Sequence, residues 1–238
     1  MNELEGLSAL IIEPHAGMRA SIHNMLTLCG LSKVDHAGSS NNAIRHLGLK
    51  TFDLILCEYD LDGGQDGQQL LEDLRHHKLI TLSTMFFMVT AEGNYSKVVS
   101  AAELAPTDYV LKPFTIEVLS RRIEKALDRR AALHEVHTLA DDGNLREALR
   151  LCAAGEAAGA RHAVDFARLR AELHVQLGEL DAAATQYRAI LAQHPRGWAS
   201  LGLARTLVAQ QRHAEAASLL DELMTDNPRL MAAYDLLA

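Results

Sequence analysis

The chain has 238 residues, 48% of them hydrophobic, with 23 basic and 31 acidic side chains and a net charge of -8; that length allows two ordinary domains, each with its own core. The acidic excess extends over both halves, 8 basic against 14 acidic residues in 1–114 and 15 against 17 in 115–238, so neither half offers the basic footprint that nucleic-acid binding requires. No apolar run approaches a membrane span of about 18 residues, no basic segment precedes the first apolar stretch, and Cys29, Cys57 and Cys152 lack a CxxC spacing, so a cytoplasmic protein with reduced core thiols and no membrane or nucleic-acid partner is expected.

Leu7 to Ile12 is an apolar run that closes on Glu13-Pro14 and reads as a first strand. Met18, Ile22, Met25 and Cys29 then recur at helical spacing, with Gly30 as the stop. Val34 to Ala37 is a short strand, and Asn41 to Leu49 a short helix. Leu54 to Cys57 fits a fully buried strand, with Glu58 and Asp60 at its end. A loop rich in Gly and Asp leads into a helix over Gln68 to His76, with Leu70, Leu71 and Leu74 inward. Met85 to Val89 is the next strand and closes on Thr90-Ala91. Ser96 to Leu104 reads as a helix with Val98, Val99 and Ala102 on its inner face, and Pro106 ends it. Thr107 to Leu111 is the last strand, followed by Lys112-Pro113-Phe114. Five alternations of strand and helix argue for βαβ units in a doubly wound parallel sheet.

In such a sheet the carboxyl ends of the strands lie on one edge, where ligands and chemistry are found. Glu13, Glu58, Thr90 and Lys112 would therefore converge: two carboxylates, a hydroxyl and an ammonium. A surface salt-bridge cluster is the plainer reading of any one of them alone.

The segments LIIEP, DLILCEYDL, DGQQLL, MVTAE and DYVLKPF, in this order and spacing, resemble the receiver domain of two-component response regulators over about Leu7 to Ala126. The resemblance implies a flavodoxin-like, five-stranded signalling domain rather than an enzyme. It also implies a phosphoacceptor at the position of Glu58 and Mg²⁺ beside an acidic pair at the first strand end. Thr90 and Lys112 match the residues that contact the phosphoryl group, and Tyr109 matches the aromatic that turns inward on activation. Many relatives dimerise, so a homodimer is among the partners implied.

This sequence departs from that pattern where the chemistry resides. The acidic pair is reduced to Glu13-Pro14, and proline offers only a backbone carbonyl. The acceptor position holds Glu58, whose extra methylene moves the carboxylate by roughly 1.5 Å, and a misplacement of about 1 Å costs on the order of 10²-fold in rate. Mg²⁺ is held by one or two carboxylates plus phosphate and water, so losing one is a large fraction of the site. A pseudo-receiver with no metal is expected, its acidic pocket being Glu13, Glu58 and Asp60 and its switch residues Thr90, Lys112 and Tyr109. The alternative is a working receiver that uses Asp60 or Glu58 as acceptor, with Mg²⁺ on Glu13, Glu58 and Asp60.

No Gly, Pro or Ser-rich linker separates the halves. Thr115 to Ala140 contains no helix breaker, with Ile116, Leu119, Ile123 and Leu127 on one face, so a helix over 115–140 is expected to be shared by a receiver-like domain at 1–127 and a helical domain at 128–238. Gly143-x-Leu145-x-x-Ala148, Gly178-x-Leu180-x-x-Ala183 and Gln211-x-His213-x-x-Ala216 recur 35 and 33 residues apart, the period of a helix–turn–helix solenoid. The pattern resembles tetratricopeptide (TPR) repeats at about 128–162, 163–196 and 197–229. The resemblance implies a surface that binds a protein partner. The chain stops within a presumptive helix, so a longer solenoid is expected. The adjacent pair His76-His77 points in diverging directions on a helix and gives no metal site.

Overall fold

The computed structural model describes residues 4, 6–61, 65–91, 106–159, 161–193, 197–226, 233, 236 and 237. They fall into two compact units, one reaching residue 130 and the other beginning at residue 131.

The first unit contains β1 (Ser8–Ile12), α1 (Ala16–Leu28), β2 (Lys33–Ala37), α2 (Ser40–Leu47), β3 (Leu54–Glu58), α3 (Gly67–His76), β4 (Met85–Thr90) and β5 (Asp108–Leu111). The strands form one parallel sheet in the order β2-β1-β3-β4-β5. The helix expected over Ser96 to Leu104 and the loop at 62–64 lie outside the described residues.

The two central strands explain why a nearly continuous apolar sequence forms strands here. Every residue of β3 and of β4 is buried, and successive side chains alternate between the two faces of the sheet. Leu54, Leu56, Phe87 and Val89 join Ile22 and Leu26 of α1 on one face. Ile55, Cys57, Phe86 and Met88 join Ala43, Leu70, Leu71 and Leu74 of α2 and α3 on the other. Each large apolar side chain so buried contributes about 1.5–3 kcal/mol.

Helix ends follow local chemistry. Ser39 accepts from the Asn42 N–H at 3.3 Å, which starts α2 one residue earlier than its apolar pattern indicates. Asp66 and Gln69 form a reciprocal capping box at the start of α3. At the base of the sheet, just before β3, Asp53 accepts from the Ser8 N–H and hydroxyl, both at 3.0 Å, and from the Arg130 guanidinium at 2.9 Å.

Arg130 belongs to α4 (Ile116–Asp141), which has 26 residues and a length of about 39 Å. Its early residues Leu119, Ile123 and Ala126 pack on the sheet. Its later residues Leu133 and Val136 belong to a cluster with Ala148, Cys152 and Phe166.

The second unit continues through α5 (Leu145–Ala157), α6 (Ala163–Gln176), α7 (Leu180–Gln193), α8 (Gly197–Ala209) and α9 (His213–Asp226). Three of its turns are built alike. Gly143, Gly178 and Gln211 adopt φ of 79°, 72° and 64°. At each turn this residue donates its N–H three residues back, and the following residue donates five back: Asn144 to Leu139, Glu179 to His174 and Arg212 to Leu207. This pair of bonds satisfies the last carbonyls of the helix and reverses the chain. Ala148, Ala183 and Ala216, five residues beyond each turn residue, are all buried.

Candidate functional site

The carboxyl edge of the sheet gathers three charged side chains from three separate strand ends. Glu13 directly follows β1, Glu58 ends β3 and Lys112 directly follows β5. The parallel register places these tips side by side, and the Lys112 N–H binds the Thr90 carbonyl at 2.8 Å. Lys112 Nζ donates to Glu13 Oε2 at 2.8 Å and also to Glu58 Oε2. Glu13 is 1% exposed and Glu58 7%, while the Lys112 side chain is 17% exposed. One ammonium thus serves two buried carboxylates.

The two carboxylates respond in opposite ways. Burial pushes the Glu58 carboxyl above its ordinary value, and the hydrogen bond from Lys112 offsets only part of that. Burial acts in the same sense on Glu13, but the Lys112 hydrogen bond and the His15 N–H outweigh it and hold this carboxyl low. For Lys112, burial opposes the charge, and its two carboxylate partners more than compensate, so its pKa rises.

Of the remaining residues expected at the site, Thr90 ends β4 and is buried. Tyr109, on β5, packs inward against the cluster containing Leu61, Phe86 and Met88. Its hydroxyl is buried without a hydrogen-bond partner among the described residues, and burial pushes its pKa up. Asp60 is exposed. Its backbone N–H donates to Glu58 Oε1 at 3.3 Å, so the structure groups Glu13 and Glu58 with Lys112 and leaves the Asp60 carboxylate outside that group.

Several neighbours were not legible in the sequence. The His15 N–H donates to Glu13 Oε1 at 3.0 Å, and its ring Nδ1 lies 3.3 Å from the same oxygen. Arg19, in the first turn of α1, donates to the carbonyls of Glu13 and Pro14, both at 2.6 Å. Gly67 donates its N–H to the Tyr59 carbonyl at 2.7 Å, and a Cβ there would lie 2.6 Å from the Glu58 carbonyl oxygen and 2.7 Å from Met88 Sδ. Contacts of this kind depend on tertiary approach. Only the Gly- and Asp-rich loop ahead of the helical pattern signals a turn in this region.

A divalent cation, as the receiver resemblance implies, fits this donor set poorly. Glu13 and Glu58 already bind an ammonium, and the Pro14 carbonyl already accepts from a guanidinium. Mg²⁺ demands near-ideal octahedral oxygen geometry. Among the described residues no group of three or more His, Cys, Asp or Glu is arranged to hold a metal ion. Nor is any described helix long and apolar enough to cross a membrane.

Comparison with known proteins places this edge in a family. Residues 9–124 match the model of the response regulator receiver domain. The chain is 30% identical over 123 residues to the chemotaxis protein CheY of Pseudomonas aeruginosa, covering 52% of this chain and 98% of that protein. It is 26% identical over 125 residues to the chemotaxis protein CheY-3 of Vibrio cholerae, covering 52% and 95%. A solved response regulator receiver domain protein from Clostridium thermocellum aligns at 21% identity with a TM-score of 0.45, over 53% of this chain and 98% of that one. The chain therefore belongs, through its first half, to the response regulator receiver family.

Proposed function

We propose that this protein is a signal-transduction adaptor in which a pseudo-receiver is coupled to a TPR-like, protein-binding helical region. The observation that carries the proposal is the Lys112 ammonium held between Glu13 and Glu58. In a phosphorylatable receiver this lysine would answer a transient phosphoryl group; here a permanent carboxylate engages it.

Charge limits what Glu58 achieves. A single carboxylate brings one negative charge, against about -1.5 to -2 for a phosphoryl group. Moving a two-state element from 1:99 to 99:1 takes about 5.5 kcal/mol. Glu58 biases the domain toward the state with Tyr109 inward and does not lock it there.

The helical region supplies the output. The three like turns at Gly143, Gly178 and Gln211, with an alanine buried five residues beyond each, support stacked helix–turn–helix repeats whose exposed faces bind a protein partner. The continuous helix α4 supports a mechanical link between input and output.

The test is incubation of the full chain with a small-molecule phosphodonor and Mg²⁺, followed by intact mass and peptide mapping. The adaptor reading expects no phosphoryl adduct and no Mg²⁺ binding at millimolar concentration. A phosphoryl group on Glu58 or on the exposed Asp60 overturns it. A pull-down with wild type and with Glu58→Gln reads the coupling: unchanged capture would leave a scaffold without switching.

A further inference from the structure

Outside the carboxyl edge, a histidine pair joins α1 to β2. His23 Nδ1 lies 2.9 Å from His36 Nε2, and the two rings meet edge to face with centroids 4.9 Å apart. The pair lies at the surface, within reach of ions in solution.

We propose that His23 and His36 form a two-imidazole site for a late first-row divalent transition ion, Cu²⁺ foremost, with Ni²⁺ and Zn²⁺ weaker. Two nitrogens each about 2.0–2.1 Å from one ion and at right angles to one another are about 2.9 Å apart, and a right angle between nitrogen ligands suits the tetragonal preference of Cu²⁺ and Ni²⁺. A tetrahedral ion would need a wider separation. The contact as it stands holds one shared proton between two ring nitrogens. Metal binding puts the ion in that proton's place while the donor ring takes a proton on its other nitrogen, so both imidazoles stay neutral with no net proton release, and water completes the coordination.

The surroundings admit a cation. Arg19 lies on the same side of α1 and its charge acts on His36, but its guanidinium is turned to the Glu13 and Pro14 carbonyls. Asp35, the preceding residue on β2, acts on His36 in the opposite sense. With nitrogen donors only, the site discriminates against Mg²⁺ and Ca²⁺, which select oxygen. It is thus distinct in chemistry and place from the carboxyl edge. The pairing joins a helix residue to a strand residue 13 positions away, so no local spacing signals it in the sequence.

The experiment is a titration of the metal-free full chain with Cu²⁺ and then Ni²⁺, read by calorimetry and by paramagnetic broadening of histidine ring resonances. The expected result is one ion per chain, broadening first at His23 and His36, and affinity lowered by about tenfold or more in either His23→Gln or His36→Gln. His76→Gln, which alters the adjacent pair at the end of α3, is expected to bind as wild type does. No saturable binding below millimolar ion overturns the proposal. So does broadening that begins at other histidines, or unchanged affinity in both folded variants. The ring resonances of the wild-type chain decide the matter even if a variant folds poorly.

Discussion

Lys112 Nζ stands 2.8 Å from Glu13 Oε2, at a carboxylate that is 1% exposed and held below its usual pKa. The same ammonium binds Glu58, whose pKa lies above its usual value. One cation thus has two unequal partners, and the inequality is measurable. Neutralising Glu13 removes a favourable charge, whereas neutralising Glu58 relieves one that the fold accommodates at a cost. At pH 7, Glu13→Gln is expected to destabilise by about 1–3 kcal/mol, and Glu58→Gln to stay within about 0.5 kcal/mol of wild type or to stabilise. Urea unfolding at fixed pH compares the two, and equal losses would contradict the assignment.

Removing the cation has the larger effect. Lys112→Met leaves two buried carboxylates facing one another without compensation, an arrangement that costs about 3–5 kcal/mol. One of the two then takes up a proton more readily. The deficit is expected to shrink as pH is lowered from 7 to 5, which urea unfolding at both values would register.

The pH dependence of wild type follows from the same shifts. Glu13 contributes stability above its ordinary value of 4.5, and this is lost as pH falls through its lower folded value. Glu58, shifted upward, contributes below 4.5, and this is lost as pH rises through its higher folded value. The two oppose each other on the acid limb, so Glu58→Gln is expected to steepen that limb between about pH 5 and 3. Lys112 contributes below its ordinary 10.5, and this is lost only as pH climbs through its raised folded value. Its contribution therefore persists through neutral pH.

Gly67 holds the start of α3 against the end of β3. A methyl there meets the Glu58 carbonyl oxygen at 2.6 Å and Met88 Sδ at 2.7 Å; the thioether can yield but the backbone carbonyl cannot. Gly67→Ala is expected to cost about 1–3 kcal/mol. It is also expected to shift the amide resonances of Glu58 and Tyr59 while leaving those of α7 and α8 in place.

The turn at Gln211 has the same backbone conformation as the turns at Gly143 and Gly178, but carries a side chain in the left-handed region. Gln211→Gly is expected to stabilise by roughly 0.5–1 kcal/mol, and Gly178→Ala to destabilise by a similar amount. Thermal unfolding of the full chain followed by helical circular dichroism orders the three proteins.

The sequence disclosed the strands of the first half because their buried runs are short and each stops at a polar tip, as at Glu13, Glu58 and Thr90. Bringing those tips together required only the parallel topology, which the alternation of patterns already implied. The partition of Lys112 between two carboxylates was not readable, nor was the capture of the Pro14 carbonyl by Arg19. Both depend on side-chain reach across elements far apart in the chain. Asp60 illustrates the same limit: two residues beyond Glu58 it stands in the sequence as the alternative acceptor, and in the fold its side chain lies at the surface while its N–H supports Glu58. In the second half, the spacing of Gly143, Gly178 and Gln211 revealed the period, but only backbone dihedrals show that a glutamine performs the glycine's task.

The short strand β3 is fastened lengthwise. Asp53 ahead of it is bound by Ser8 and Arg130, and Glu58 at its far end is bound by Lys112. Sliding the strand by a single residue would turn each of its side chains to the opposite face and tear both acidic ends from their partners at once. This central ribbon is therefore indexed like a rod with a peg at each tip, and loosening either peg alone leaves the other to keep its place.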